Sequence, residues 1–283
     1  KIKDAEGDMK KSVKLYSIII MCSLCLLLSS CGKSEGEKPT VKAGDMQEDI
    51  TANSKIVEGK TEDGIIYQYN TQTATLTVSG EIIRGAYPDD YTKEIHGEPE
   101  ARPWDKWRDD AKEIVLEKGV ENVTNMAFTG FRNVQKIVFP DTLKKIGMYA
   151  FYDSTREISK LELPDSVEEI GWCAFAQTSC YKGLEEIRLP QKLRNIGELA
   201  FASQSLTSVV IPENVESIEK QAFEGCVCLE TVTVKSKRIK KASGDIFLHT
   251  SDELAIYVPK ELEKKYRRML GGTDGQVYPM KDK

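Results

Sequence analysis

Few side chains in this chain are of the kinds that do covalent chemistry, and their spacing decides what they can do. Its two histidines, His96 and His249, lie far apart. There is no glycine-rich phosphate loop, no nucleophile elbow and no H-E-x-x-H pair. Phosphoryl transfer, serine acyl transfer and zinc hydrolysis therefore lack their usual parts. Carboxylates are plentiful because the chain is acidic, with 45 Asp and Glu and a net charge of −5, so paired acids follow from composition. The acidic stretch Tyr87 to Arg102 has no EF-hand spacing and reads as a surface insertion. Of the seven cysteines, Cys173, Cys180, Cys226 and Cys228 belong to the body of the chain. Cys226 and Cys228 are too close in sequence for a relaxed mutual disulfide, and no histidine accompanies them to suggest zinc. The expectation is a non-enzymatic protein with neither cofactor nor metal. One cysteine is left whose neighbours do specify chemistry, Cys31.

Met9 is followed by Lys10, Lys11 and Lys14, then by an apolar run from Ile18 to Leu28 broken only by Ser23. Eleven residues fall short of the roughly 20 that cross a bilayer, but suit the hydrophobic region of an export signal. The run closes on Leu28-Ser29-Ser30-Cys31, which resembles a bacterial lipobox: leucine, two small residues, and the cysteine that is acylated and becomes the mature N-terminus. The resemblance implies a chain anchored to a membrane through Cys31 rather than spanning it. Residues 1–30 are thus read as upstream residues and lipoprotein signal. Residues 31–55 read as a tether, polar, rich in Gly, Ser, Lys and Glu, and without periodicity. Such a tether lets the folded part stand roughly 25–30 Å from its anchor. The expected address is the bacterial envelope, lipid-anchored at the outer membrane and exposed at the surface. A periplasm-facing assembly scaffold is the alternative.

A thirteen-residue phrase is written five times, ending at Phe128, Phe151, Phe175, Phe201 and Phe223, with starts 23, 24, 26 and 22 residues apart. A period in this range marks a solenoid, because one unit cannot bury its apolar face alone and must stack on the next. Before each phrase runs an alternating segment closed by proline, such as Leu161-Glu162-Leu163-Pro164. Period-two alternation predicts a half-buried strand, and proline ends it. Stacked repeats should align these strands as one parallel sheet. The Ala-Phe pair closing each phrase should point inward, and Gly147, Gly171 and Gly197 mark a tight bend or a close backbone approach. The five phenylalanines are the expected structural core.

With the L-x-x-I-x-L-P strand, the I-G-x-x-A-F phrase and the period in hand, the chain resembles the BspA-like leucine-rich-repeat surface proteins of bacteria over about Ala111 to Leu270. The resemblance implies a right-handed, β-rich α/β-type leucine-rich-repeat solenoid, its parallel sheet joined to short helical turns. It also implies a cell-surface role in adhesion or host interaction. The expected divisions are an N-terminal β cap at 56–110, the solenoid at 111–259, and a capping helix with tail at 260–283. The cap is read as a β-hairpin around Asn70-Thr71-Gln72, followed by Pro103-Trp104.

Two surfaces are candidates for binding a protein or glycan ligand. Alternation places Lys136 and Val138, Lys160 and Glu162, Glu186 and Arg188, and Val210 outward on successive strands. In register, Lys160 lies beside Glu186 and Glu162 beside Arg188, which makes either a self-satisfied charge ladder or a polar binding face. A second stripe, Met148, Tyr149 and Trp172, could anchor a partner or pack beneath the longer connections at Tyr152–Ser159 and Gln177–Gly183. Cations cluster at Lys235 to Lys241 and Lys264 to Arg268, where acidic glycans or phospholipid headgroups could sit. The acidic body argues against nucleic acid, and a monomer is expected.

Overall fold

The structure is a computed structural model that describes residues 55–85, 102–179, 182–242, 245–270 and 276–281. These all fall in one compact unit, Met46–Lys283.

The chain opens as a three-stranded antiparallel meander of β1 (Ile56–Lys60), β2 (Ile66–Asn70) and β3 (Thr75–Ser79). The expected hairpin around Asn70 is β2–β3, whose turn the Asn70 carboxamide oxygen holds by accepting from the Gln72 and Thr73 amides. After β3 the chain begins to coil. Each coil gives one longer strand and then a two-residue strand. With β4 (Ile82–Ile83) closing the cap, the pairs are β5 (Glu113–Leu116) and β6 (Asn122–Val123), then β7 (Lys136–Val138) and β8 (Lys145–Ile146). They continue as β9 (Lys160–Glu162) and β10 (Glu169–Ile170), then β11 (Glu186–Arg188) and β12 (Asn195–Ile196). The last are β13 (Ser208–Ile211) and β14 (Ser217–Ile218), then β15 (Thr231–Val234) and β16 (Lys241–Ala242). The chain closes with β17 (Ala255–Val258), helix α1 (Glu263–Leu270) and β18 (Gln276–Pro279).

The short strands form one unbroken parallel ladder from β4 to β16. Its outer edge alternates in charge: Glu121, Lys144, Glu168, Arg194, Glu216 and Lys240 follow one another, linked coil to coil through backbone hydrogen bonds. This ladder is not legible in the sequence, because two residues are too few to show a period. The long strands do not make the single sheet expected of them. They form three ladders, β1-β2-β3-β5-β7, β9-β11 and β13-β15-β17-β18. β9 and β11 follow connections of somewhat different length from their neighbours' and pair with each other, while the Thr207 amide still donates to the Glu185 carbonyl and ties the next coil to them.

A third side of each coil is also bonded, without regular strand. The amides of Tyr149, Phe151 and Asp153 donate to the carbonyls of Trp172, Ala174 and Ala176 on the next coil. Cys173, Phe175 and Gln177 donate in the same way to Glu198, Ala200 and Ala202. The same turns carry left-handed backbone. Met126, Tyr149, Cys173, Leu199 and Gln221, each two residues before the phenylalanine, have φ of 50–61°. Neighbouring coils hold them in a region that non-glycine residues seldom adopt.

Inside, Phe128, Phe151, Phe175, Phe201, Phe223 and Phe247 are fully buried and stack in file, with ring centroids 5.3–5.6 Å apart. Trp104 tops the file, 5.8 Å from Phe128, and Tyr69 stacks on Trp107 at 4.6 Å, so the Pro-Trp segment closes one end. Tyr266 and Leu270 of α1 close the other, with the Tyr266 hydroxyl donating to the Ser236 carbonyl. The recurrent glycines serve close approach. A Cβ on Gly171 would meet the Gly147 carbonyl carbon at 2.8 Å, and one on Gly197 would meet that of Gly171 at 2.6 Å.

β18 was not foreseen; its residues had been read as tail. It ends the array and is itself blocked. The Gln276 and Met280 amides donate toward β17, which turns Val277 and Pro279 to the outer edge. There Arg267 donates to the Val277 carbonyl at 2.6 Å, and proline has no amide to offer.

Candidate functional site

Strand alternation carries every second residue of the long strands to the outside, and register lines these residues up in two rows. One row runs Thr75–Glu113–Lys136, then Lys160–Glu186, then Ser208–Thr231–Ala255–Gln276. The other runs Thr77–Val115–Val138, then Glu162–Arg188, then Val210–Thr233–Tyr257–Tyr278. Lys136, Val138, Lys160, Glu162, Glu186, Arg188 and Val210 therefore share one face, in three segments that match the three ladders.

The middle segment neutralises itself. Lys160 reaches both Glu186 at 3.1 Å and Glu162 at 3.4 Å, and in the first segment Lys136 bonds Glu113 at 2.7 Å. Hydrogen bonding to Glu186, then its charge, holds the Lys160 ammonium above its ordinary range. Glu162 does lie beside Arg188 in register, but the guanidinium turns to Asp165, with both oxygens at 2.9 Å. Asp165 is held below the usual carboxylate range by the Gln191 amide and then by Arg188. Asp165 escaped sequence reasoning because it lies past the proline that ends its strand.

Met148, Tyr149 and Trp172 sit on the bonded turn side, away from the long-strand face. Tyr149 is buried, 5.2 Å from Tyr152 and 5.1 Å from Trp172 by ring centroids. Met148 packs partly buried against the same small cluster with Cys173, Ala176 and Ala202. Trp172 remains 38% exposed. Polar contacts prop up the two insertions nearby. The Gln177 amide donates to Thr155 and Gln204 at 3.1 and 2.8 Å, and buried Asp153 accepts from Arg132 and Arg156, both at 2.7 Å.

The groups that could do chemistry are placed otherwise. Burial pushes the Cys173 thiol up to about 12, far from a reactive thiolate. Cys226 is buried and points its thiol at the Phe201 carbonyl. No disulfide links Cys173, Cys226 and Cys228 to one another. Cys31, Cys180 and His96 lie outside the described residues. In the basic stretches, Lys237, Lys240 and Lys241 are spent on Glu261, Glu216 and Glu219.

The BspA type leucine-rich-repeat region matches this sequence in six copies, over residues 107–230 and 179–273, together more than half of the chain. The chain belongs to the BspA-type leucine-rich-repeat family. Solenoids of this kind are generally binding scaffolds rather than enzymes. No curated protein matches the chain in sequence. Among solved structures, a leucine-rich repeat protein from Bacteroides ovatus is 19% identical, with a TM-score of 0.46, over 60% of this chain and 43% of that one. One from Eubacterium ventriosum is 18% identical, with a TM-score of 0.43, over 80% and 66%. The pneumococcal vaccine antigen PcpA is 18% identical, with a TM-score of 0.34, over 61% and 68%. The chain thus spans less than half the length of the Bacteroides ovatus protein.

Proposed function

We propose that this BspA-type chain is a non-enzymatic lipoprotein of the bacterial envelope, held at the outer membrane through acylated Cys31. In this reading it displays its solenoid outward and binds a protein or glycan ligand on the long-strand face, in adhesion or host interaction. The observation that carries the proposal is that face itself. Lys136, Lys160, Glu162, Glu186, Arg188 and Val210 all stand exposed on it, on a backbone fixed by bonded ladders, which is the extended, preorganised surface that solenoids use for recognition. The membrane half of the reading is supported by the Leu28-Ser29-Ser30-Cys31 sequence after its apolar run. Metabolic labelling with a fatty acid tests that half. Label in the wild-type chain and none in Cys31→Ala is expected, with the variant lost from the membrane fraction. Equal partition of both forms without label would refute the anchor.

A further inference from the structure

Three of the large apolar side chains left exposed, Val210 at 44%, Tyr257 at 38% and Tyr278 at 39%, fall in a single register row. Val210 pairs with Thr233, Thr233 with Tyr257, and Tyr257 with Tyr278. The companion row is Ser208–Thr231–Ala255–Gln276. None of these eight outward positions is charged, in a chain that is 30% Asp, Glu, Lys and Arg. The charged segment of the same face stops at Arg188, which is committed to Asp165. The two tyrosine rings lie 5.9 Å apart and inclined by 32°, and the Tyr278 hydroxyl donates to the Gln276 carboxamide oxygen. Around them Ser208 is exposed and Thr231 and Thr233 are half-buried.

We infer that this uncharged end of the face is a binding subsite for a neutral oligosaccharide, lying across β13, β15, β17 and β18. The inference deepens the proposed function and rests on it. A sugar ring offers an apolar C–H face and a rim of hydroxyls. Tyrosine offers the complement, an apolar ring with a polar tip, and the threonines, serine and glutamine supply uncharged hydrogen-bonding groups. A sulfated or carboxylated glycan needs cations for charge-assisted bonds, and these rows carry none. Size points the same way. Four strands about 4.8 Å apart span about 14 Å and four residues along each about 13 Å, an area of roughly 190 Å², far below the roughly 800 Å² per partner of a stable protein interface. Addition of a second copy at the β18 edge is opposed by Pro279 and by Arg267 on the Val277 carbonyl.

The test passes the full-length chain, in detergent, over immobilised neutral polysaccharides (xylan, mannan and β-glucan) and acidic ones (heparin and polygalacturonate). Retention on a neutral matrix is expected, and it should persist near 1 M salt, where exposed charges are screened to about 3 Å. Tyr257→Ala/Tyr278→Ala should weaken it by about tenfold or more, as loss of aromatic anchors does, while Tyr257→Phe/Tyr278→Phe and a change at the exposed Lys118, away from this face, Lys118→Ala, keep it. Thr233→Arg carries the same test should the alanine pair fold poorly. Retention on acidic matrices alone, on none, or undiminished in these patch variants overturns the inference. So does a patch that instead drives self-association. Cells that still capture a protein ligand while no neutral glycan is held would leave the proposed function standing without this subsite.

Discussion

Phe175 lies between two nearly parallel rings, with centroids 5.5 and 5.6 Å away, and shows how one residue type repeated at one period sets the core. Truncation to alanine removes contacts on both sides and leaves a cavity that the bonded coils cannot collapse. Phe175→Ala is expected to cost about 3–5 kcal/mol in denaturant melts; a loss below about 1 kcal/mol would contradict this packing. The phenylalanines and glycines were legible in the sequence because each position accepts one residue type. The left-handed positions were not, because Met126, Tyr149, Cys173, Leu199 and Gln221 share no side-chain property; neighbouring coils impose the conformation. The cap holds a second residue-scale test. Burial alone would push Asp105 up, but Arg102 and then Arg108 pull it below its ordinary 3.8. Its contribution is therefore full above 3.8 and is lost as pH falls through the lowered value. With the Arg102 side chain only 5% exposed, Asp105→Asn strands a buried cation and should cost about 3 kcal/mol at pH 7. The gap between wild type and variant should narrow in melts at acid pH below that value; a gap independent of pH would contradict the pairing.

At the scale of elements, the alternation that announced the long strands also fixed which residues face outward, so the charged segment of the candidate face could be read directly. Its break into three ladders could not, because alternation fixes which residues face outward and not how far each strand pairs with its neighbours. Tyr257 lay within reach of the same rule, since Leu254-Ala255-Ile256-Tyr257-Val258-Pro259 carries the same alternation closed by proline. Tyr278 did not: Val277-Tyr278-Pro279 repeats the strand-then-proline signature in a stretch too short to stand out. The closing strand makes its own prediction. Arg267→Ala with Pro279→Thr frees the Val277 carbonyl and restores an edge amide, so concentration-dependent self-association should appear on size-exclusion chromatography with light scattering. A variant that stays as monodisperse as the wild type would mean that α1, not the edge residues, terminates the array.

For the whole molecule, three bonded sides and a stacked aromatic file make a rigid surface, and the family explains the scaffold. Function then depends on where that surface is displayed. Protease shaving of intact cells, followed by antibody to the solenoid, tests this most directly, with Cys31→Ala alongside. Loss of the wild-type signal from intact cells, with the variant released or mislocalised, is the expected result. Full protection until the outer membrane is breached would contradict surface display and direct the search for ligands to the periplasm.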